Sequence, residues 1–151
     1  MLKQAIDQAK ADSFQGQDIP WLLAQWAERA PDKVAMVWAP FEGPERSLTY
    51  RALLQEARGH AAGLAERGVK PGDFILIHLD NSYEFVIAWL ACACVGAVAV
   101  STNTRSVARD LSYFQDVTEA VGAITQPAFG ALLREACPNL PWLLITDNDA
   151  G

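Results

Sequence analysis

LTYRALLQEARGHAAGLAERGVKPGDFILIHLDNSYEFVIAWLACACVGAVAVSTN, residues 48–103, decides the fold. Its first third is helical by period: Tyr50, Leu53, Leu54, Ala57, Ala61 and Leu64 recur at three- and four-residue spacing. Thr49 is placed to cap that helix and Gly68 to close it as the residue just past the end. The pattern then shortens. Phe74–Leu79 predicts a strand, Tyr83–Cys94 a helix, and Ala97–Ser101 a second strand.

Toward the C-terminus the alternation continues. Val107–Val117 predicts a helix, Ala120–Thr125 a strand, Ala128–Cys137 a helix and Trp142–Thr146 a strand. Apolar strands joined by helical crossovers imply a parallel sheet covered on both faces. The expected class is therefore α/β, a three-layer, mainly parallel sheet with helices on both faces. Toward the N-terminus, Asp18 and Pro20 suit the start of a helix bearing Trp21, Leu22, Ala24, Trp26 and Ala27, ended by Pro31. Val34–Trp38 and Ser47–Leu48 then read as a β-hairpin with a long loop, added at an edge or corner. Residues 1–17 are polar and weakly patterned, an N-terminal extension to a single α/β unit over 18–151.

A formal net charge of −6, with no basic stripe, argues against nucleic-acid binding. The longest uncharged run, Phe85–Val100, is sixteen residues, short of the roughly 20 a membrane span needs. The first residues carry Lys3, Asp7, Lys10 and Asp12 and lack a signal peptide's apolar centre, so cytoplasmic residence is the expectation. Cys92, Cys94 and Cys137 fall among apolar residues and read as reduced, buried small hydrophobes. Trp21, Trp26, Trp38, Trp89 and Trp142 read as core.

Ligands of open α/β sheets gather at the carboxyl ends of the strands. Three segments qualify: Asp80–Ser82, Thr102–Ser106 and Gln126–Pro127. Asn81, with Glu84 three residues on, matches a helix-capping pattern. Arg105 precedes a helix that Ser106 is placed to cap, and a guanidinium beside a helix N-terminus attracts anions. Arg109, one turn later, is a second candidate; an ordinary solvated arginine is the competing reading for both. His78 lies inside a strand without a nucleophile or acid in pattern with it, and His60 reads as solvated. The isolated glycines form no phosphate loop, and Asp147 with Asp149 reads as a solvated tail. No catalytic or metal-ligating residue is expected.

The marks Leu48-Thr49-Tyr50, Gly68-Val69-Lys70-Pro71-Gly72-Asp73, Asn81 with Glu84-Phe85, and Gly96-Ala97-Val98-Ala99-Val100 closing on Asn103 occur in one order. Together they resemble the N-terminal portion of the adenylate-forming (AMP-binding) enzymes, most closely the acyl-CoA synthetases. The resemblance runs over about Trp21–Thr146. It implies ATP-dependent activation of a carboxylic acid to an acyl-adenylate, then transfer to CoA, with Mg²⁺ on the phosphates. It further implies that Arg105, in the loop Asn103-Thr104-Arg105, contacts a CoA phosphate, with Arg109 in support. The family often has Pro where Ser101 and Thr104 stand. Its Ser/Thr/Gly-rich phosphate loop does not occur before Gly151. The expectation is thus an N-terminal fragment, inactive alone, binding none of these ligands tightly and prone to self-association. Another adenylation type, or a stand-alone non-catalytic α/β module, is the alternative.

Overall fold

A computed structural model gives the structure of residues 16–41 and 43–149. Apart from Gly16 and Gln17, the expected extension lies outside the described residues. Helix α1 (Ile19–Arg29) starts at Asp18, whose carboxylate accepts from Trp21 N at 2.7 Å, with Pro20 in the first turn. Strands β1 (Val34–Trp38) and β2 (Arg46–Thr49) pair antiparallel, with Val37 opposite Ser47. Helix α2 (Tyr50–Glu66) follows at once, its first turn capped by Thr49, whose Oγ1 accepts from Ala52 N at 3.2 Å. It stops at Gly68, where φ is +87°. Gly68 N reaches Ala65 O and Val69 N reaches Leu64 O, so the last carbonyls are satisfied and Val69 folds back into the core.

Four parallel strands form the main sheet: β3 (Phe74–His78), β4 (Val98–Ser101), β5 (Gly122–Thr125) and β6 (Leu143–Ile145), in the order β4-β3-β5-β6. Helices α3 (Tyr83–Val95), α4 (Ala108–Thr118) and α5 (Pro127–Ala136) connect them. Alternation along the strands sorts the side chains onto two faces. Ile75, Ile77, Leu79 and Ile124 pack with Ala61 and Leu64 of α2 and Ala88, Ala91 and Cys92 of α3. Leu76 and Ala123 pack with Leu111 of α4 and Leu133 and Ala136 of α5. This is the expected three-layer α/β arrangement.

The hairpin joins neither edge of the parallel sheet; it forms a separate two-stranded sheet. Leu48 packs with Leu53, Leu54, Ala57, Ile87 and Leu90, on the side of α2 and α3 turned away from β3. Helix α3 is apolar nearly all round, which is why a further layer must cover it.

The tryptophans depart from the core reading. Trp21, Trp26 and Trp89 are 38%, 39% and 37% exposed, and α1 buries only Leu23. For Trp21 and Trp26 the reason is position: α1 is an outer layer whose one buried residue is Leu23. Trp26 instead stacks on Tyr50 at 5.6 Å, beneath the Lys33 ammonium. Trp142 is half-buried and its indole lies on Gly122. The cysteines follow expectation more closely. Cys92 and Cys137 are buried and all three are free. Burial pushes the Cys92 thiol up to about 12, so it stays a protonated, inert thiol at neutral pH.

Candidate functional site

Because β4 and β5 lie on opposite sides of β3, the chain reverses its direction of winding between β3 and β5. The carboxyl ends of these strands are where such a sheet opens a crevice. Here that crevice is filled. Gln126 is buried; its Oε1 accepts from Asp80 N at 2.9 Å, and its Nε2 donates to Asp80 Oδ2 at 3.1 Å. Thr125 Oγ1 donates to His78 O at 2.8 Å, and Thr146 N donates to Thr125 O. Side chains thus tie the ends of β3 and β5 together, and a backbone bond adds β6. Neither Asp80 nor Gln126 stood out as a pair in the sequence, because 46 positions separate them.

Asn81 does not cap α3. Ser82 does, its Oγ accepting from Phe85 N at 3.0 Å, while Asn81 is exposed. Capping requires an oxygen that reaches the N–H three residues on, and the chain turns one residue later than expected. Ser106 likewise leaves α4 uncapped: the helix begins past Val107, and Asp110 Oδ2 accepts from Val107 N at 3.1 Å. Asp149, expected to be merely solvated, accepts from Ala128 N at 2.7 Å and so closes the first turn of α5.

Arg105 lies in the loop after β4, exposed, with Arg109 exposed in the first turn of α4. The loop has internal order. Asn103 Oδ1 accepts from Arg105 N at 2.9 Å, and Asn103 O accepts from Ser106 N at 2.8 Å. This Asx turn sets the backbone without using the guanidinium. Among the described residues neither Arg105 nor Arg109 forms an ion pair. Two cations close in sequence at a helix start can hold an anionic group, although Asp110 occupies the same first turn and weakens that attraction.

His78 is fully buried at the end of β3, with its ring edge-on to Phe129. Burial pulls its pKa below the usual histidine value, opposed by the nearby Asp80 charge. A native pKa below the unfolded one means that the unfolded chain binds more protons in the window beneath ~6.5. The stabilisation is complete above that value and is lost as pH falls through it. Urea denaturation at pH 7.5 and 5.5 is expected to show a loss on acidification that shrinks in His78→Asn. An equal loss in both proteins would contradict this.

A groove of about 860 Å³ opens elsewhere, between α2, α3 and the end of β6, and its lining includes neither Arg105 nor Arg109. Arg46 bonds Glu56 at 2.9 Å there and lies 3.8 Å over the Tyr83 ring. His60 is exposed on α2, as expected, with Nδ1 3.0 Å from Glu56 O. Among the described residues no three His, Cys, Asp or Glu side chains come together to hold a metal. No helix among them is long and apolar enough to cross a membrane.

Residues 23–149 match a family model described as AMP-binding enzyme. A salicylyl-CoA synthase / salicylate adenylyltransferase from Streptomyces sp is 32% identical over 158 aligned residues, covering 99% of this chain and 28% of that protein. A crotonobetaine/carnitine–CoA ligase from Salmonella paratyphi A is 28% identical, covering 82% and 24%. The N-terminal subdomain of Klebsiella oxytoca NpsA, solved with anthranilyl-AMSN, superposes with a TM-score of 0.64 at 29% identity, covering 72% of this chain and 27% of that one. A benzoate CoA ligase from Burkholderia xenovorans shares the fold, with a TM-score of 0.75 at 24% identity, covering 86% and 26%. The chain spans about a quarter of the length of these relatives.

Proposed function

Given that the chain belongs to the AMP-binding enzyme family, we propose that residues 18–151 are the N-terminal α/β portion of an acid–thiol ligase of the acyl-CoA synthetase type. The observation that carries this reading is the family match across 23–149, joined to two exposed cations beyond the carboxyl end of β4, Arg105 in the loop and Arg109 in the first turn of α4, neither ion-paired among the described residues. In the complete reaction a carboxylate oxygen attacks the α-phosphorus of ATP and pyrophosphate leaves. A thiol sulfur then attacks the acyl carbon of the adenylate and AMP leaves. Mg²⁺ would act on the ATP phosphates. The described residues offer it no ligand cluster. In this reading the portion contributes the loop carrying Arg105, whose guanidinium meets a CoA phosphate, with Arg109 adding positive potential. Alone it catalyses neither step and binds ATP and CoA weakly. It works in the cytoplasm, and its half-exposed tryptophans, Trp21, Trp26 and Trp89, favour self-association when it is separated from the rest of the ligase.

In the complete ligase, Arg105→Ala is expected to raise the KM for CoA roughly 10- to 100-fold, the loss typical of a hydrogen bond to a charged group. Acid-dependent pyrophosphate exchange should change little. Lys should recover part of the loss, keeping charge without the fork. An unchanged KM for CoA would return Arg105 to the solvated surface. A second reading follows from the NpsA likeness, since NpsA has also been solved in an artificially fused adenylation–PCP di-domain with ThdA. If the acceptor is a carrier-protein thiol, Arg105→Ala should slow transfer to the carrier while free CoA remains a poor acceptor for both enzymes.

A further inference from the structure

The loop that bears Arg105 is hung from a buried histidine. Thr102 N donates to Ile77 O at 3.0 Å, extending the β3–β4 ladder one residue past Ser101. Thr102 Oγ1 also lies 3.2 Å from Ile77 O, within reach to donate its single hydroxyl hydrogen. His78 Nδ1 lies 2.8 Å from that same Oγ1. Because Nε2 is buried without a partner, and an orphaned ring N–H costs more than an orphaned lone pair, the Nδ1–H tautomer is favoured, with the hydroxyl accepting there. Nε2 then carries the lone pair. The polar reach of this ring is spent on Thr102 alone. The next residue, Asn103, builds the turn that orients Arg105.

We propose that His78 and Thr102 are positioning residues: they fix the start of the Thr102–Ser106 loop so that the Arg105 guanidinium meets its anionic ligand without first ordering the loop. The inference rests on the reading of Arg105 as a CoA-phosphate contact. A buried neutral imidazole suits the task, since its one hydrogen bond has no competing water and its orientation is further set by Phe129 at 4.9 Å. A solvent-exposed partner, in competition with water, would hold the loop less firmly. Thr102 is more than a strand-end residue, because any amino acid would supply the backbone bond, whereas only a hydroxyl can link His78 to Ile77 O.

The test compares Thr102→Val, Thr102→Ser, Arg105→Ala and the double variant Thr102→Val/Arg105→Ala in the complete ligase, by KM for CoA and by acid-dependent pyrophosphate exchange. Thr102→Val should raise KM for CoA roughly two- to tenfold, the span of one lost neutral hydrogen bond, with exchange unchanged. Thr102→Ser should restore it. In the Arg105→Ala background Thr102→Val should add nothing, since contacts acting through one group are not additive. If Arg105→Ala raises KM while Thr102→Val does not, the positioning role is overturned and the Arg105 contact stands. If Arg105→Ala has no effect, the contact falls; a Thr102→Val effect in that background would show a role independent of Arg105 and overturn the proposal also. The tautomer gives a measurement that needs no variant: ¹⁵N shifts of the His78 ring at pH 7.5 should report a protonated Nδ1. A protonated Nε2 would overturn the linkage.

Discussion

Gly122→Val is expected to destabilise the chain by more than about 3 kcal/mol, the upper end for forced overpacking. Gly122 is buried at the start of β5, and a Cβ added there would overlap the five- and six-membered rings of the Trp142 indole. The obstacle is a flat, rigid ring rather than the far end of a flexible chain. Trp142 is also held by its backbone, since its carbonyl accepts from Ala123 N at 3.2 Å. Relief therefore requires either that the indole swing out into solvent or that β6 part from β5. Gly122→Ala should show the same effect at a smaller size, and Trp142→Leu should partly rescue it by clearing the space. A urea midpoint for Gly122→Ala within error of the parent would show that the indole yields freely.

The second large effect lies on the opposite face. Leu76 is in the middle of β3, fully buried and packed with Leu111, Leu133 and Ala123. Leu76→Ala leaves a void walled by a strand and two helices, none of which closes inward without breaking its own pairing. A loss of about 3–5 kcal/mol is expected, since the cavity adds to the lost transfer energy. That is a large part of an ordinary domain's stability of ~5–15 kcal/mol. Leu22→Ala on α1 provides the contrast, because Leu22 is 46% exposed. Its loss should stay below about 1 kcal/mol, as for a surface substitution. Comparable losses for the two variants, by urea denaturation, would contradict the placement of the core.

Much of this fold is legible along the chain. The periods of Tyr50–Leu64 and Phe74–Leu79 name their elements, and Asp18, Thr49 and Gly68 mark ends where the structure puts them. Those signals are local, read from residues three or four apart. The order of the strands is not local. Nothing in the apolar run of β5 says that it pairs with β3 on the side away from β4. The hairpin's place outside α2 and α3 is hidden for the same reason: an apolar strand face does not state which layer it covers. At the loops, the error at Asn81 and Ser106 is of one residue, the distance by which a turn's geometry escapes a capping pattern. The side-chain links at the carboxyl edge span greater gaps. His78 meets Thr102 across 24 positions and Asp80 meets Gln126 across 46. A lone strand histidine gave a hint, since a buried imidazole needs a partner, but not the partner's identity. The exposure of the α1 tryptophans is hidden in the sequence, because a broad apolar face looks alike in a core helix and in an outer layer.

The proposed role of this α/β unit is to serve an enzyme that adenylates a carboxylic acid and passes the acyl group to a thiol. The most direct measurement is acid-dependent exchange of labelled pyrophosphate into ATP, made on the 151-residue chain and on the longer ligase proposed to carry it. The expected result is no exchange by the chain alone, exchange by the ligase only when its acid is present, and stoichiometric AMP release once CoA is added. Acid-dependent exchange by the chain alone, or a ligase that forms thioester without ever exchanging pyrophosphate, would contradict the account.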